Sequence, residues 1–167
     1  MIYDKVHWDY ESYERSLIQP VRETLDRRGL SHTGLRYGSY QPADLAAALR
    51  QCRAAIVLGE HETQGIAYQQ MLSSGVPVLA WDRGGFWQDP EFYPDRVRFE
   101  PVSSVPYWDE RCGVTFKDGA SFEEALDDFR EGLAAGRFAP RDYILENLTL
   151  ESSARAYVAL ARSASHS

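Results

Sequence analysis

A carboxylate, two small polar residues and a glycine stand together at Glu62-Thr63-Gln64-Gly65 and lead into Ile66-Ala67-Tyr68-Gln69-Gln70. A helix beginning at such a turn offers backbone N–H groups that have no intrahelical acceptor. Its dipole adds partial positive charge to them, so the place suits a phosphate. Thr63, Gln64, Gly65 and Ile66 occupy that helix start, and the missing Cβ of Gly65 lets an anionic group approach the backbone. Glu62 precedes them. An ionised carboxylate only accepts hydrogen bonds, which suits a partner rich in hydroxyls, although Glu62 can equally serve as a helix cap. Gln70 lies two turns further on, on the side of Gly65 or Ile66.

The elements on either side must hold this turn at the edge of a sheet. Ala54-Ala55-Ile56-Val57-Leu58 and Pro77-Val78-Leu79-Ala80-Trp81 are short apolar runs that read as buried strands, with a crossover helix between them and Gly75-Val76 leading into the second. Parallel strands joined this way place the loop after the first strand at the carboxyl edge, where open α/β sheets bind ligands. Met1 to Val6 reads as a first strand and Leu35-Arg36-Tyr37-Gly38 as a weaker one. Helices are expected over 18–28, with Pro20 in a first turn and Gly29 as a stop, and over 42–51. Further strands are expected at 97–99 and 114–116. Ser121 and Glu124 have capping-box spacing ahead of a helix ended by Gly136, a short helix follows Pro140, and Thr149 is placed to cap a last one. The two terminal helices are expected to cover the faces of an α/β, doubly wound, mostly parallel sheet flanked by helices. One domain over 1–162 with a frayed tail over 163–167 follows.

A chain of 167 residues, 44% hydrophobic and 26% charged, can bury a core without covalent staples. Its net charge of -7 disfavours nucleic acid or anionic lipid as a general partner. No apolar run approaches the ~20 residues of a membrane span, so no span is expected and the cytoplasm is the expected location. The two cysteines, Cys52 and Cys112, have no metal-ligand spacing and read as reduced thiols. The four histidines are scattered, so no metal site is expected.

The spacing Glu-x-x-Gly, an amide eight positions after the glutamate, and Gly75-Val76-Pro77-Val78 before a buried strand resembles the donor-binding half of retaining GT-B glycosyltransferases, the group-1 or family-4 kind. Their signature has two glutamates separated by seven residues and then A-x-G-x-P-V. Glu62 matches the first glutamate, Gly65 the glycine and Gly75 to Val78 the closing segment, whereas Gln70 replaces the second glutamate. The order of elements resembles the family over about residues 1 to 160, and residues 59 to 82 carry the specific matches.

The resemblance implies a Rossmann-like carboxy-terminal domain that binds a nucleotide-diphosphate sugar, with no further cofactor and no metal. An amino-terminal acceptor domain or separate subunit would complete it. Glu62 is implied as the catalytic residue facing the donor sugar, and Gln70 as the ribose partner, with one acceptor oxygen but no charge. Lys5 resembles the basic residue that meets the diphosphate, although a surface lysine reads the same way. Tyr37 and Gly38 fall where the family meets the base, and Tyr37 reads equally well as core.

Asp82-Arg83-Gly84-Gly85-Phe86-Trp87 follows the second buried strand. Arg83 there suits a phosphate or an acidic acceptor, with a salt bridge to Asp82 or Asp89 as the plainer expectation. His61, without a partner, is expected to be exposed. Tyr107 to Gly113 carries no assignable chemistry and is expected to pack beneath the sheet edge. Two other readings stay open: a non-catalytic nucleotide-binding or interaction module on the same fold, and a flavodoxin-like cofactor domain. The second lacks a Ser/Thr/Gly-rich run after the first strand.

Overall fold

The computed structural model describes residues 1–91 and 100–164. Five strands form one all-parallel sheet: β1 (Ile2–Lys5), β2 (Gly34–Arg36), β3 (Ala55–Gly59), β4 (Val78–Trp81) and β5 (Gly113–Phe116), in the order β2-β1-β3-β4-β5. The expected strand at 97–99 lies outside the described residues. β3 and β4 are apolar from end to end because both of their faces are covered. Alternation divides their side chains. Ile2, Ile56, Leu58, Leu79 and Trp81 join one core, and Tyr3, Ala55, Val57, Val78 and Ala80 the other.

The first core is closed by α2 (Gln19–Arg27) through Val21 and Leu25, and by α5 (Phe122–Ala135) through Phe122, Leu126 and Phe129. The second is closed by α3 (Pro42–Gln51) through Leu45, by α4 (Ile66–Ser73) through Tyr68, Met71 and Leu72, and by α6 (Pro140–Asn147) through Tyr143. The fold is therefore α/β, Rossmann-like and doubly wound. Its strand order reverses between β1 and β3, which opens a crevice at their carboxyl ends.

Several local expectations are corrected. The helix expected from Ile18 begins earlier, with α1 (Tyr10–Tyr13) and a π-helical turn (Glu14–Ile18) running directly into α2. Pro20 has no N–H to continue an ordinary helical ladder, and the wide turn just before it accommodates that break while Leu17 and Ile18 stay buried. Ser121 makes no capping box with Glu124. It has helical φ and ψ, its N–H donates to Asp118 Oδ1 at 2.8 Å, and its hydroxyl oxygen accepts from the Lys117 and Asp118 amides at 3.1 Å. Thr149 does cap the last helix, α7 (Leu150–Ala164), by accepting the Ser152 N–H at 3.1 Å. That helix buries none of its residues and covers no sheet face, because α6 already fills the place through Tyr143. Of the expected tail, Ser163 and Ala164 are helical, and 165–167 lie outside the described residues.

The 107–113 segment packs at the sheet edge as expected. Arg111 pairs with Asp109 at 2.7 Å and with Glu146 of α6 at 2.6 Å, and Cys112 is fully buried as a free thiol.

Candidate functional site

The turn after β1 is closed by the protein's own carboxylates. Buried Asp4 accepts the Val6 N–H at 3.1 Å, the Tyr10 hydroxyl at 3.1 Å and Arg36 Nη1 at 2.8 Å. Glu60, 3% exposed at the end of β3, accepts the His7 and Trp8 amides, each at 2.9 Å. These are the amides a phosphate loop after the first strand would use, and here they already face carboxylate oxygens. A flavodoxin-like reading loses its anion site on that ground.

The next carboxyl end along the sheet is that of β3. The chain passes Glu60 and His61 to Glu62, whose N–H donates to the Ser103 carbonyl at 2.9 Å. Asp82, at the end of β4, fixes that loop in turn, taking the Ser103 hydroxyl at 2.7 Å and the Ser104 N–H at 3.2 Å. Lys5 Nζ donates to Glu62 Oε1 at 2.6 Å, with side chains 20% and 11% exposed, and lies 5.0 Å from the centroid of the Tyr37 ring. Neither plain alternative for these residues survives. Lys5 is no free surface lysine, and Glu62 does not cap the helix, since the N-cap is Gly65 and it receives no side-chain hydrogen bond.

Gly65 takes the left-handed conformation, with φ 69°. A Cβ built there would stand 1.9 Å from Tyr68 Cε1. The space a side chain would occupy is therefore filled by the Tyr68 ring, and the glycine is required by that packing rather than kept open for an anion. The Tyr68 hydroxyl accepts the Tyr107 N–H at 3.1 Å, which ties the start of α4 to the 107–113 segment. Thr63 and Gln64 stand in the turn ahead of α4, so the unpaired amides of the first helical turn are those from Ile66 onward.

These pieces enclose one cleft of about 260 Å³ at the β1/β3 crevice. Lys5, Tyr37 and Glu62 line it with residues 63–66, and Gln70 lines it from α4. Gly38, with φ 79°, does not line it. Tyr37 is 49% exposed, so the core reading of that residue is overturned. Sequence reasoning missed Tyr3, Tyr40 and Ala67, which complete the lining. Tyr3 could have been found from strand alternation, because it shares a face of β1 with Lys5. Its hydroxyl meets that of Tyr40 at 3.3 Å, and burial pushes its pKa well above the usual phenol value.

The cleft thus combines one cation, one carboxylate, a helix N-terminus, an exposed amide and three phenol rings. That set can hold a ligand with an anionic group, hydroxyls and a flat apolar part. No group of three or more His, Cys, Asp or Glu side chains able to hold a metal occurs among the described residues, and none of their helices is long and apolar enough to cross a membrane. No protein-family model, curated protein or solved structure matches the chain.

Proposed function

We propose that this chain is the donor-binding domain of a retaining GT-B glycosyltransferase, working in the cytoplasm with an amino-terminal domain or partner subunit that brings the acceptor. The observation that carries the reading is the meeting of Lys5, Glu62, Gln70 and the first turn of α4 in one cleft at the β1/β3 crevice. Lys5 and the α4 amides would take the diphosphate, and Glu62 and Gln70 the hydroxyls of sugar and ribose. Tyr37 and Tyr40 offer flat faces to the base. In transfer, the bond from the anomeric carbon to the diphosphate breaks, and a bond to an acceptor hydroxyl forms on the same face of the sugar. The acceptor proton leaves with the departing diphosphate. Lys5 and the amides stabilise the charge that develops there.

Calorimetry on the folded chain with uridine, guanosine and adenosine diphosphates tests this. One of the three should bind, and Lys5→Gln should weaken it by about tenfold, the loss of a single charge-assisted contact. No heat with any of them on folded protein overturns the reading.

A non-catalytic nucleotide-binding or interaction module is favoured by one feature: Glu62 is already neutralised by Lys5, and Gln70 brings no second carboxylate. Gln70→Glu separates the two. Tighter nucleotide binding supports a donor pocket with a ribose contact at that position, and unchanged binding means that this face of α4 is merely structural.

A further inference from the structure

Arg83 directly follows the Asp82 brace beyond β4. Its Nη1 is held from one side, donating to the Tyr13 hydroxyl at 3.0 Å and to the Gln88 side-chain oxygen. Its Nε and Nη2 are buried and have no hydrogen-bond partner among the described residues. These two N–H groups share the edge of the guanidinium that receives two oxygens of a single carboxylate or phosphate side-on. The expected salt bridge to Asp82 or Asp89 does not form. Asp82 serves Ser103 and Ser104, and Asp89 accepts the Glu91 N–H at 2.9 Å. The neighbouring cations differ in this respect, Lys5 being paired with Glu62 and Arg36 with Asp4.

A second unanswered group lies close by. His61 is stacked on Trp8, with ring centroids 4.9 Å apart and planes 16° from parallel, and it lies 5.2 Å from the Trp87 ring. Its Nδ1 is buried and has no hydrogen-bond partner among the described residues. Burial, then the positive charges of Arg83, Lys5 and His7, lower its pKa to about 4 against the opposing pull of Asp89. The ring is therefore neutral near pH 7 and able to donate one N–H.

A buried donor left unanswered is costly, and a charged one more so. Packing alone does not call for a guanidinium at this place. We propose that Arg83 and His61 form an oxyanion site at the carboxyl end of β4, apart from the Lys5–Glu62 cleft, with the Nε/Nη2 edge as its anchor and the Trp8 and Trp87 rings beside it. The ligand carries a carboxylate or a phosphate, the two groups that match the fork. This site stands whether or not the cleft binds a nucleotide sugar.

The test is titration of the full-length chain with inorganic phosphate and, separately, with acetate, at constant ionic strength. The imidazole resonances of His61 are followed by NMR. At least one anion should shift them saturably, and the one that saturates at lower concentration assigns the ligand's anionic group. Arg83→Gln should weaken the response at least tenfold. Arg83→Lys, which keeps the charge but loses the fork, should fall between Arg83→Gln and the unaltered protein, and it carries the comparison if Arg83→Gln does not fold. The proposal is overturned if neither anion moves His61, or if the Arg83 variants titrate like the unaltered chain.

Discussion

Lys5 and Glu62 meet at 2.6 Å across the carboxyl ends of β1 and β3, so the only lysine in the cleft arrives with its charge already matched. Any diphosphate entering there must compete with Glu62 for Lys5. The amides at the start of α4 would supply the part of the attraction that needs no rearrangement. The pair therefore acts as a latch between two strands.

Removing the lysine should be felt in the fold as well as in binding. Lys5→Met leaves the Glu62 carboxylate nearly buried without its cation, and the expected loss is about 1–3 kcal/mol by urea denaturation. The double variant Lys5→Met/Glu62→Gln should recover at least half of that loss, since no charge is then stranded. Recovery of nothing would show that the pair carries no stability.

Gly65 makes a second test possible. Gly65→Ala forces a Cβ into the Tyr68 ring and strains a left-handed backbone, and about 2–4 kcal/mol should be lost. Tyr68→Leu removes the obstructing ring at its own cost. In a double-mutant cycle the two changes should then total clearly less than the sum of the singles. Strict additivity would mean that the ring is not what requires the glycine.

The sequence pattern made the layered fold legible because parallel strands covered on both faces cannot hide. Ala55 to Leu58 and Val78 to Trp81 are apolar without interruption, and the chain between them is long enough for one helix. What the pattern lacks is strand order, which depends on contacts between residues far apart. β2 in particular buries none of its three residues. Pro20 marked a helix boundary only because a π-helical turn is not written in residue types. Ser121 and Glu124 had the right spacing, but Asp118 lies closer to the Ser121 amide and takes it. Most of the cleft was legible for one reason: Lys5, Tyr37 and Glu62 each stand just at or past the end of a strand, and parallel strands bring those ends together. The unpaired edge of Arg83 was not, since two nearby carboxylates predicted a salt bridge and only the coordinates place both elsewhere.

His61 should make stability depend on pH. Its folded pKa of about 4 lies below the ordinary value of 6.5. Between those values the unfolded chain binds the more protons, so the stability tied to a neutral His61 is complete above pH 6.5 and is lost as pH falls toward 4. The urea midpoint should drop between pH 7 and pH 4.5, and His61→Gln should show a smaller drop over the same range. An equally steep fall in that variant would place the pH dependence elsewhere.

Glu60 gives the sharpest local test, because a single buried carboxylate holds two consecutive amides. Glu60→Gln keeps one acceptor oxygen and the shape but loses the charge, and can no longer serve His7 and Trp8 with full strength. The expected cost is about 1–3 kcal/mol. The diagnostic readout is hydrogen exchange at the His7 and Trp8 amides, which should speed up more than exchange at Val57 and Leu58 in the neighbouring strand. Uniform acceleration across all four would mean that the substitution only lowers global stability. Selective acceleration would show that this carboxylate holds the two amides locally, independently of global stability.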